Sequence, residues 1–178
     1  MPETDFAKIE LMVLDVDGVL TDGRITLTES GEEVKSFHVK DGAGMKYWQR
    51  AGGRMAIISG RGSPAVIRRA DELGVSAVRL DAKVKLPVYE ELLAELGVSP
   101  AETAVIGDDL TDLPLMRSCA FAAAPSDAVE EVRGAAHYVC RAAGGGGCVR
   151  EVVEHILKKA GKWNEILARY LPVEGEQP

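Results

Sequence analysis

The chain is poor in the features that mark secreted, membrane or nucleic-acid proteins. Its three cysteines, Cys119, Cys140 and Cys148, are odd in number and include no C-x-x-C pair. That argues against a disulfide framework and a zinc knuckle, and they read as small buried residues. No apolar run approaches the ~20 residues of a membrane span. The start, Met1-Pro2-Glu3-Thr4-Asp5, carries no basic and apolar leader, so the protein is expected in the cytoplasm. Lys and Arg number 21 against 28 Asp and Glu, a net charge of −7. This disfavours nucleic acid, which is held chiefly by phosphate neutralisation. Aromatic residues are few, and the adjacent pair Tyr47 and Trp48 reads as core or interface rather than as base-stacking groups. An acidic chain can still hold a small anion at a local positive site, and converging carboxylates suit a hard cation.

What is present is ordinary globular composition, 46% hydrophobic and 28% charged, in a length that fits one domain. The domain is read as residues 1–172, with 173–178 as a flexible tail. Leu11–Leu14, Met55–Ile58 and Ala104–Ile106 are continuous apolar runs, the pattern of strands buried on both faces of a parallel sheet. Val75–Leu80, Ala120–Ala124 and Ala136–Val139 are further strand candidates. Helical patterns lie between: Ala43–Ala51 closed by Gly52-Gly53, Pro64–Leu73 opened by Ser63 as N-cap, Lys85–Leu96, Val149–Ala160 and a short piece at Trp163–Leu171. Strands alternating with helices predict an α/β fold, a doubly wound parallel sheet with right-handed crossovers. One segment breaks the rhythm. Arg24–Thr28 and Glu33–Val39 flank Ser30-Gly31 as the arms of a β-hairpin. An isolated hairpin is marginal in water, so it is expected to dock on something else, with another subunit as a candidate. Gly144–Gly147 reads as a flexible joint.

The chemistry gathers at strand ends. Asp15-Val16-Asp17-Gly18 follows the first strand, and Gly107-Asp108-Asp109-Leu110-Thr111-Asp112 follows a later one. In open α/β sheets ligands bind beyond the carboxyl ends of strands, so both acidic clusters are expected at one edge. Crowded carboxylates repel unless a cation offsets them, and oxygen ligands without His or Cys favour Mg²⁺ over zinc. Ser59-Gly60-Arg61 follows another strand, and its hydroxyl and amides suit a phosphate. Lys85 opens the next helix, where its ammonium can neutralise a phosphoryl oxygen. His38, at the end of the hairpin, is a candidate substrate contact.

The ordered set D-x-D-G, Ser-Gly-Arg, Lys, G-D-D-x-x-D resembles the haloacid dehalogenase superfamily of phosphohydrolases. DVDGVLTDG, the hairpin, VKDG (Val39 to Gly42), SGRGSP, Leu73-Gly74, GDDLTDLP and the Gly-rich turn before VRE (Val149 to Glu151) are similar to the 3-deoxy-D-manno-octulosonate 8-phosphate phosphatase family, which makes a lipopolysaccharide precursor. The resemblance implies a domain without a large cap. It also implies a homotetramer whose hairpins and C-terminal segments cover neighbouring active sites. It further implies a small phosphorylated sugar acid as substrate and Mg²⁺ held by Asp15, the backbone carbonyl of Asp17 and Asp108. Asp15 becomes the nucleophile and Asp17 the general acid and base. Ser59, Gly60 and Lys85 hold the phosphate. Asp109 orients a metal-bound water or Lys85, and Asp112 either joins that outer shell or starts the next turn. Arg61 and Arg69 face the sugar-acid end. Many members carry Arg in the late Gly-rich turn where this chain has Gly146. The nine-carbon 2-keto-3-deoxynononate 9-phosphate is therefore an alternative substrate. Two rivals belong to other classes. Gly60-Arg61-Gly62-Ser63-Pro64-Ala65 formally fits a dinucleotide fingerprint but leaves both acidic motifs unexplained. A non-catalytic phosphatase-like assembly or regulatory subunit, or a phosphorylated receiver, is the other.

Overall fold

A computed structural model describes residues 4–171 of the chain. In chain order the main elements are β1 (Leu11–Leu14), β2 (Thr26–Leu27), β3 (Glu33–Val34), α1 (Val39–Arg50), β4 (Arg54–Ile58), α2 (Pro64–Leu73), β5 (Ala77–Arg79) and α3 (Lys85–Leu96). Then come β6 (Thr103–Ile106), α4 (Leu113–Ser118), β7 (Phe121–Ala124), α5 (Glu130–Ala135), β8 (Tyr138–Val139), α6 (Cys148–Lys159) and α7 (Trp163–Leu167). The six long-range strands form one parallel sheet in the order β5-β4-β1-β6-β7-β8.

The apolar runs are continuous because both faces of the sheet are covered. Met12 and Leu14 point into one core with Met45 and Trp48 of α1, Val66 and Ala70 of α2, and Val152, Val153 and Ile156 of α6. Leu11 and Val13 point into the opposite core with Tyr89 and Leu92 of α3, Leu115 and Met116 of α4, and Val132 of α5. Strand residues alternate between faces, so each residue of β1 has an apolar layer to meet. The chain winds from β1 through α1 on one face and from β6 through α4 on the other. The switch point of the sheet therefore lies between β1 and β6, the strands that carry Asp15 and Asp108 at their ends.

Several boundaries differ from the pattern read in the sequence. Helix α1 begins at Val39 rather than Ala43, because His38 caps it: Nδ1 accepts from the Lys40 amide at 3.2 Å. Val39 therefore leaves the hairpin, whose ladder is only Thr26–Leu27 against Glu33–Val34. Ser63 precedes Pro64 but makes no capping hydrogen bond; its hydroxyl is buried without a partner among the described residues. Helices α4 and α5 escaped the sequence reading because each is six residues long, too short to display a helical period. The tail read as flexible, 173–178, lies outside the described residues.

The Gly-rich segment is no loose joint. Gly145 donates to the Val19 carbonyl at 2.9 Å, and a Cβ on Gly144 would overlap the Gly18 carbonyl. The turn is thus packed against the Asp15–Gly18 loop. Buried Asp41 fastens it from α1, accepting from the amides of Gly147 (3.2 Å) and Arg150 (2.8 Å) at the start of α6. Asp41→Ala leaves these amides unpaired and is expected to destabilise the protein by about 1–3 kcal/mol. Urea unfolding of variant and wild type measures this directly, and unchanged midpoint and slope would contradict it.

Candidate active site

Four loops meet beyond the carboxyl ends of β1, β4, β5 and β6. They line a cleft of ≈ 300 Å³ with Asp15, Asp17, Ser59, Gly60, Arg61, Lys83, Lys85, Asp108, Asp109 and Thr111. Asp15 continues β1, its amide donating to the Ile106 carbonyl at 3.1 Å, which ties it to the end of β6. Lys85 is 4% exposed and is gripped by two carboxylates, Asp15 Oδ1 at 2.7 Å and Asp112 Oδ1 at 2.6 Å. Burial alone would lower the Lys85 pKa, but Asp15 and Asp112 outweigh it and raise it, so the ammonium is retained.

Asp112 belongs wholly to this framework. Its Oδ2 accepts from the amides of Asp108 (3.1 Å) and Asp109 (3.4 Å) while Oδ1 holds Lys85. Asp112, not Asp109, orients Lys85. Asp109 is exposed at the rim, where its side chain accepts from the Leu110 amide at 2.7 Å and opens a short 3₁₀ turn. Ser59 is buried, and its hydroxyl accepts from the Arg61 amide at 3.3 Å. The Gly60 carbonyl takes the Lys83 ammonium at 2.6 Å.

The donor set fits a hard divalent cation. Asp15, Asp108 and Asp112 bring carboxylate oxygens within 4.8 Å of one another; with the oxygens of Asp112 taken by Lys85 and two amides, Asp15 and Asp108 are the side chains left to offer one to a cation. Asp108 Oδ1 is buried with no hydrogen-bond partner among the described residues. The Asp108 carboxylate also fills the space beside Gly18, where a Cβ would overlap it; Gly18 has φ +93°, a conformation open to glycine. Burial, then Asp15 and Asp112, push the Asp108 carboxyl up to about 8. Burial, then Asp112, push Asp15 to about 6 even with Lys85 opposing. An orphaned oxygen and crowded, desolvated carboxylates are what a bound cation would relieve.

Two residues read as substrate contacts are not in this cleft. Arg69 pairs with Glu72 at 2.8 Å on α2, and His38 is the cap of α1. Both line an apolar pocket beside Phe37 and Val66. Arg69 extends into a groove of ≈ 760 Å³ between Phe37 and α2. That groove is larger than the cleft, but its one carboxylate, Glu72, is already paired. Arg61 does reach the cleft, with Nη2 2.6 Å from Glu33 and Nε 3.7 Å from Asp17. The sequence reading missed Glu33 and Lys35. Lys35 pairs with Asp17 and, at 3.4 Å, with Glu33. Its only sequence signal was a lysine on a hairpin arm beside an acidic cluster.

A haloacid dehalogenase-like hydrolase model matches residues 38–119. The 3-deoxy-D-manno-octulosonate 8-phosphate phosphatase of Haemophilus influenzae is 40% identical over 154 residues, 86% of this chain and 86% of that protein. The chain belongs to the 3-deoxy-D-manno-octulosonate 8-phosphate phosphatase family. The Yersinia pestis member is 42% identical over 85% of this chain and 81% of its own. The Moraxella catarrhalis phosphatase, solved with magnesium ion, phosphate ion and a KDO molecule, is 38% identical at a TM-score of 0.91, covering 93% of this chain and 95% of that one. A cobalt-bound Haemophilus influenzae structure aligns at a TM-score of 0.85 and 39% identity, over 88% of this chain and 92% of that one. Membership in this phosphatase family bears out the α/β, haloacid dehalogenase-like fold read from the sequence.

The raised carboxylates set a stability profile with a defined sign. Their folded values lie above the ordinary 3.8, so their ionised forms disfavour the fold. That penalty is largest above about pH 8 and is relieved as pH falls through about 8 and then about 6. The metal-free protein is expected to gain thermal stability from about pH 9 down to about pH 6. Millimolar Mg²⁺ should raise the melting temperature most at the alkaline end. A profile indifferent to Mg²⁺ would contradict the cation assignment.

Proposed function

We propose that the protein is a Mg²⁺-dependent phosphomonoester hydrolase acting on 3-deoxy-D-manno-octulosonate 8-phosphate through an aspartyl-phosphate intermediate. One arrangement supports this best: Asp15 stands at the switch point of the sheet between Lys85 and Asp108, with Ser59 and Gly60 in the same cleft. The phosphate is received by the Ser59 hydroxyl, the amides of its loop and Lys85, which offset the charge on the transferring group. The Asp15 carboxylate attacks phosphorus as the bond to the sugar oxygen breaks, and Asp17 gives that oxygen its proton. Water then attacks the phosphoryl group and passes a proton to Asp17. The bond from phosphorus to the Asp15 oxygen breaks, inorganic phosphate leaves, and both aspartates are restored. Mg²⁺, held by the side chains of Asp15 and Asp108 and the Asp17 carbonyl, would let an anionic carboxylate approach an anionic phosphate.

The mechanism makes distinct demands on its two aspartates. Asp15→Asn is expected to lower kcat by about 10⁴-fold or more, and Asp17→Asn by about 10²–10⁴-fold. EDTA should abolish turnover and Mg²⁺ restore it. Wild-type turnover by the Asp15 variant would remove the covalent route, and full activity in EDTA the metal. A higher kcat/KM for the nine-carbon 9-phosphate than for the eight-carbon ester would reassign the substrate. Absence of turnover on every sugar phosphate tried would leave the non-catalytic subunit reading.

The assembly we infer is a homotetramer in which the hairpin and C-terminal segment cover neighbouring sites. Ile25 and Leu27 on the hairpin are 60% and 62% exposed, and Val39 at the start of α1 is 76% exposed, apolar surface that a neighbour would bury. In such an assembly the groove that holds Arg69 would adjoin a neighbour, and Arg69 and His38 would meet substrate only there. Among the described residues no helix is long and apolar enough to cross a membrane, in keeping with a cytoplasmic enzyme. Light scattering is expected to give four copies, and Leu27→Glu a smaller species. A monomeric wild type at micromolar concentration would overturn the assembly.

A further inference from the structure

We propose that Lys35 is a positioning residue for proton transfer at Asp17. The proposal rests on the reading of Asp17 as general acid and goes beyond it by naming the group that fixes its carboxyl. Lys35 leaves the hairpin just after β3, and its side chain is 2% exposed. A buried ammonium is costly unless it is paired, and this one is paired with Asp17 Oδ1 and with Glu33 Oε1. Glu33 in turn takes Arg61 at 2.6 Å. Two cations and two carboxylates thus form a closed, neutral set over one side of the cleft.

The two oxygens of Asp17 are treated differently. Oδ1 is clamped by Lys35. Oδ2 is buried and has no hydrogen-bond partner among the described residues; Arg61 Nε stands 3.7 Å away, outside hydrogen-bond range. A buried carboxylate oxygen left open is expensive, and here it belongs to the residue that must exchange a proton with substrate and water. Lys35 therefore fixes the rotation of the carboxyl group and leaves Oδ2 as the exchanging oxygen. Proton transfer requires the acid within about 2.6–3.2 Å of its partner, so loss of the clamp should slow that transfer selectively. The hairpin gains a role inside its own subunit, apart from any neighbour it covers.

A leaving-group comparison tests this. Expulsion of a sugar alkoxide needs a proton, whereas p-nitrophenolate leaves without one. The constant kcat/KM reports steps up to leaving-group departure and is blind to later hydrolysis of the aspartyl-phosphate. Lys35→Met, which keeps a long apolar stem in the buried slot, is expected to lower kcat/KM for the sugar acid phosphate by about 10–100-fold. Its kcat/KM for p-nitrophenyl phosphate should stay within about threefold, and Lys35→Arg should recover part of the loss. Equal loss on both substrates would show a merely structural lysine, and unchanged kinetics on both would dismiss the clamp. Lys35→Gln, measured beside Lys35→Met, decides the matter if the Met variant does not fold. Asp17→Asn is the control for the underlying reading: it should lose activity on the sugar ester far more than on p-nitrophenyl phosphate. If it does so while the Lys35 variants do not, the clamp alone fails; if it does not, the acid itself is misassigned.

Discussion

The structure depends on the cost of holding Asp15, Asp108 and Asp112 together out of water. Three carboxylate oxygens within 4.8 Å repel strongly in a partly desolvated site. Lys85 offsets only part of that, because its donors are committed to Asp15 and Asp112. Asp108 is left with the largest push toward its neutral form. The framework withstands this because Asp15 and Asp108 follow strands that the two apolar cores hold in place, with Met12 and Leu14 in one and Leu11 and Val13 in the other, and Asp112 is fixed at the start of α4. Strain at a functional site persists only where its surroundings over-determine it. Here the surroundings are the sheet itself.

That constraint explains why distant segments are packed so closely around one loop. The Gly18 position leaves no room for a side chain beside Asp108, and Gly144 leaves none beside the Gly18 carbonyl. Asp41 then fastens the glycine turn to α1 through the amides of Gly147 and Arg150. A run of contacts thus leads from the first turn of one helix to the carboxylate face of the cleft. These contacts pack the loop that begins at Asp15 against the glycine turn and α1.

The strand ends were legible in the sequence because buried parallel strands read as unbroken apolar runs, and because the acidic motifs follow two of them directly. Lys85–Leu96 and Pro64–Leu73 were read to the residue, each stopped by a glycine with positive φ, Gly97 and Gly74. Other features depend on tertiary partners that local pattern cannot display. Nothing within a few residues of Asp112 says that Lys85, 27 positions upstream, will occupy its Oδ1. Asp109 carries the same motif signal and turns outward. Lys35 reads as one more exposed lysine until the hairpin folds back and buries it against Asp17. The boundary between hairpin and α1 was misplaced because Val39 is β-branched and exposed, and because a histidine cap is a weaker sequence signal than Ser, Thr or Asp.

The floor and the rim of the cleft tolerate change differently. Asp15, Ser59, Lys85 and Asp112 are all buried, so altering any of them leaves a desolvated partner exposed to the full penalty of burial. The rim is looser: Asp109 is exposed, and the Arg61 side chain is 43% exposed. The glycine turn shows the same division within four residues. Added side chains at Gly144 and Gly145 would overlap the backbone of the Asp15–Asp22 loop, and Gly147 has φ +108°. Gly146 has neither restriction: a Cβ there would stand 3.1 Å from the Ala143 carbonyl, a contact that a few tenths of an ångström relieves. It is therefore the position of the turn at which a longer side chain such as arginine is least opposed by the backbone of the Asp15–Asp22 loop. An exchange at residue 146 is therefore the one in this turn least able to disturb the geometry around Asp15, which the two cores define.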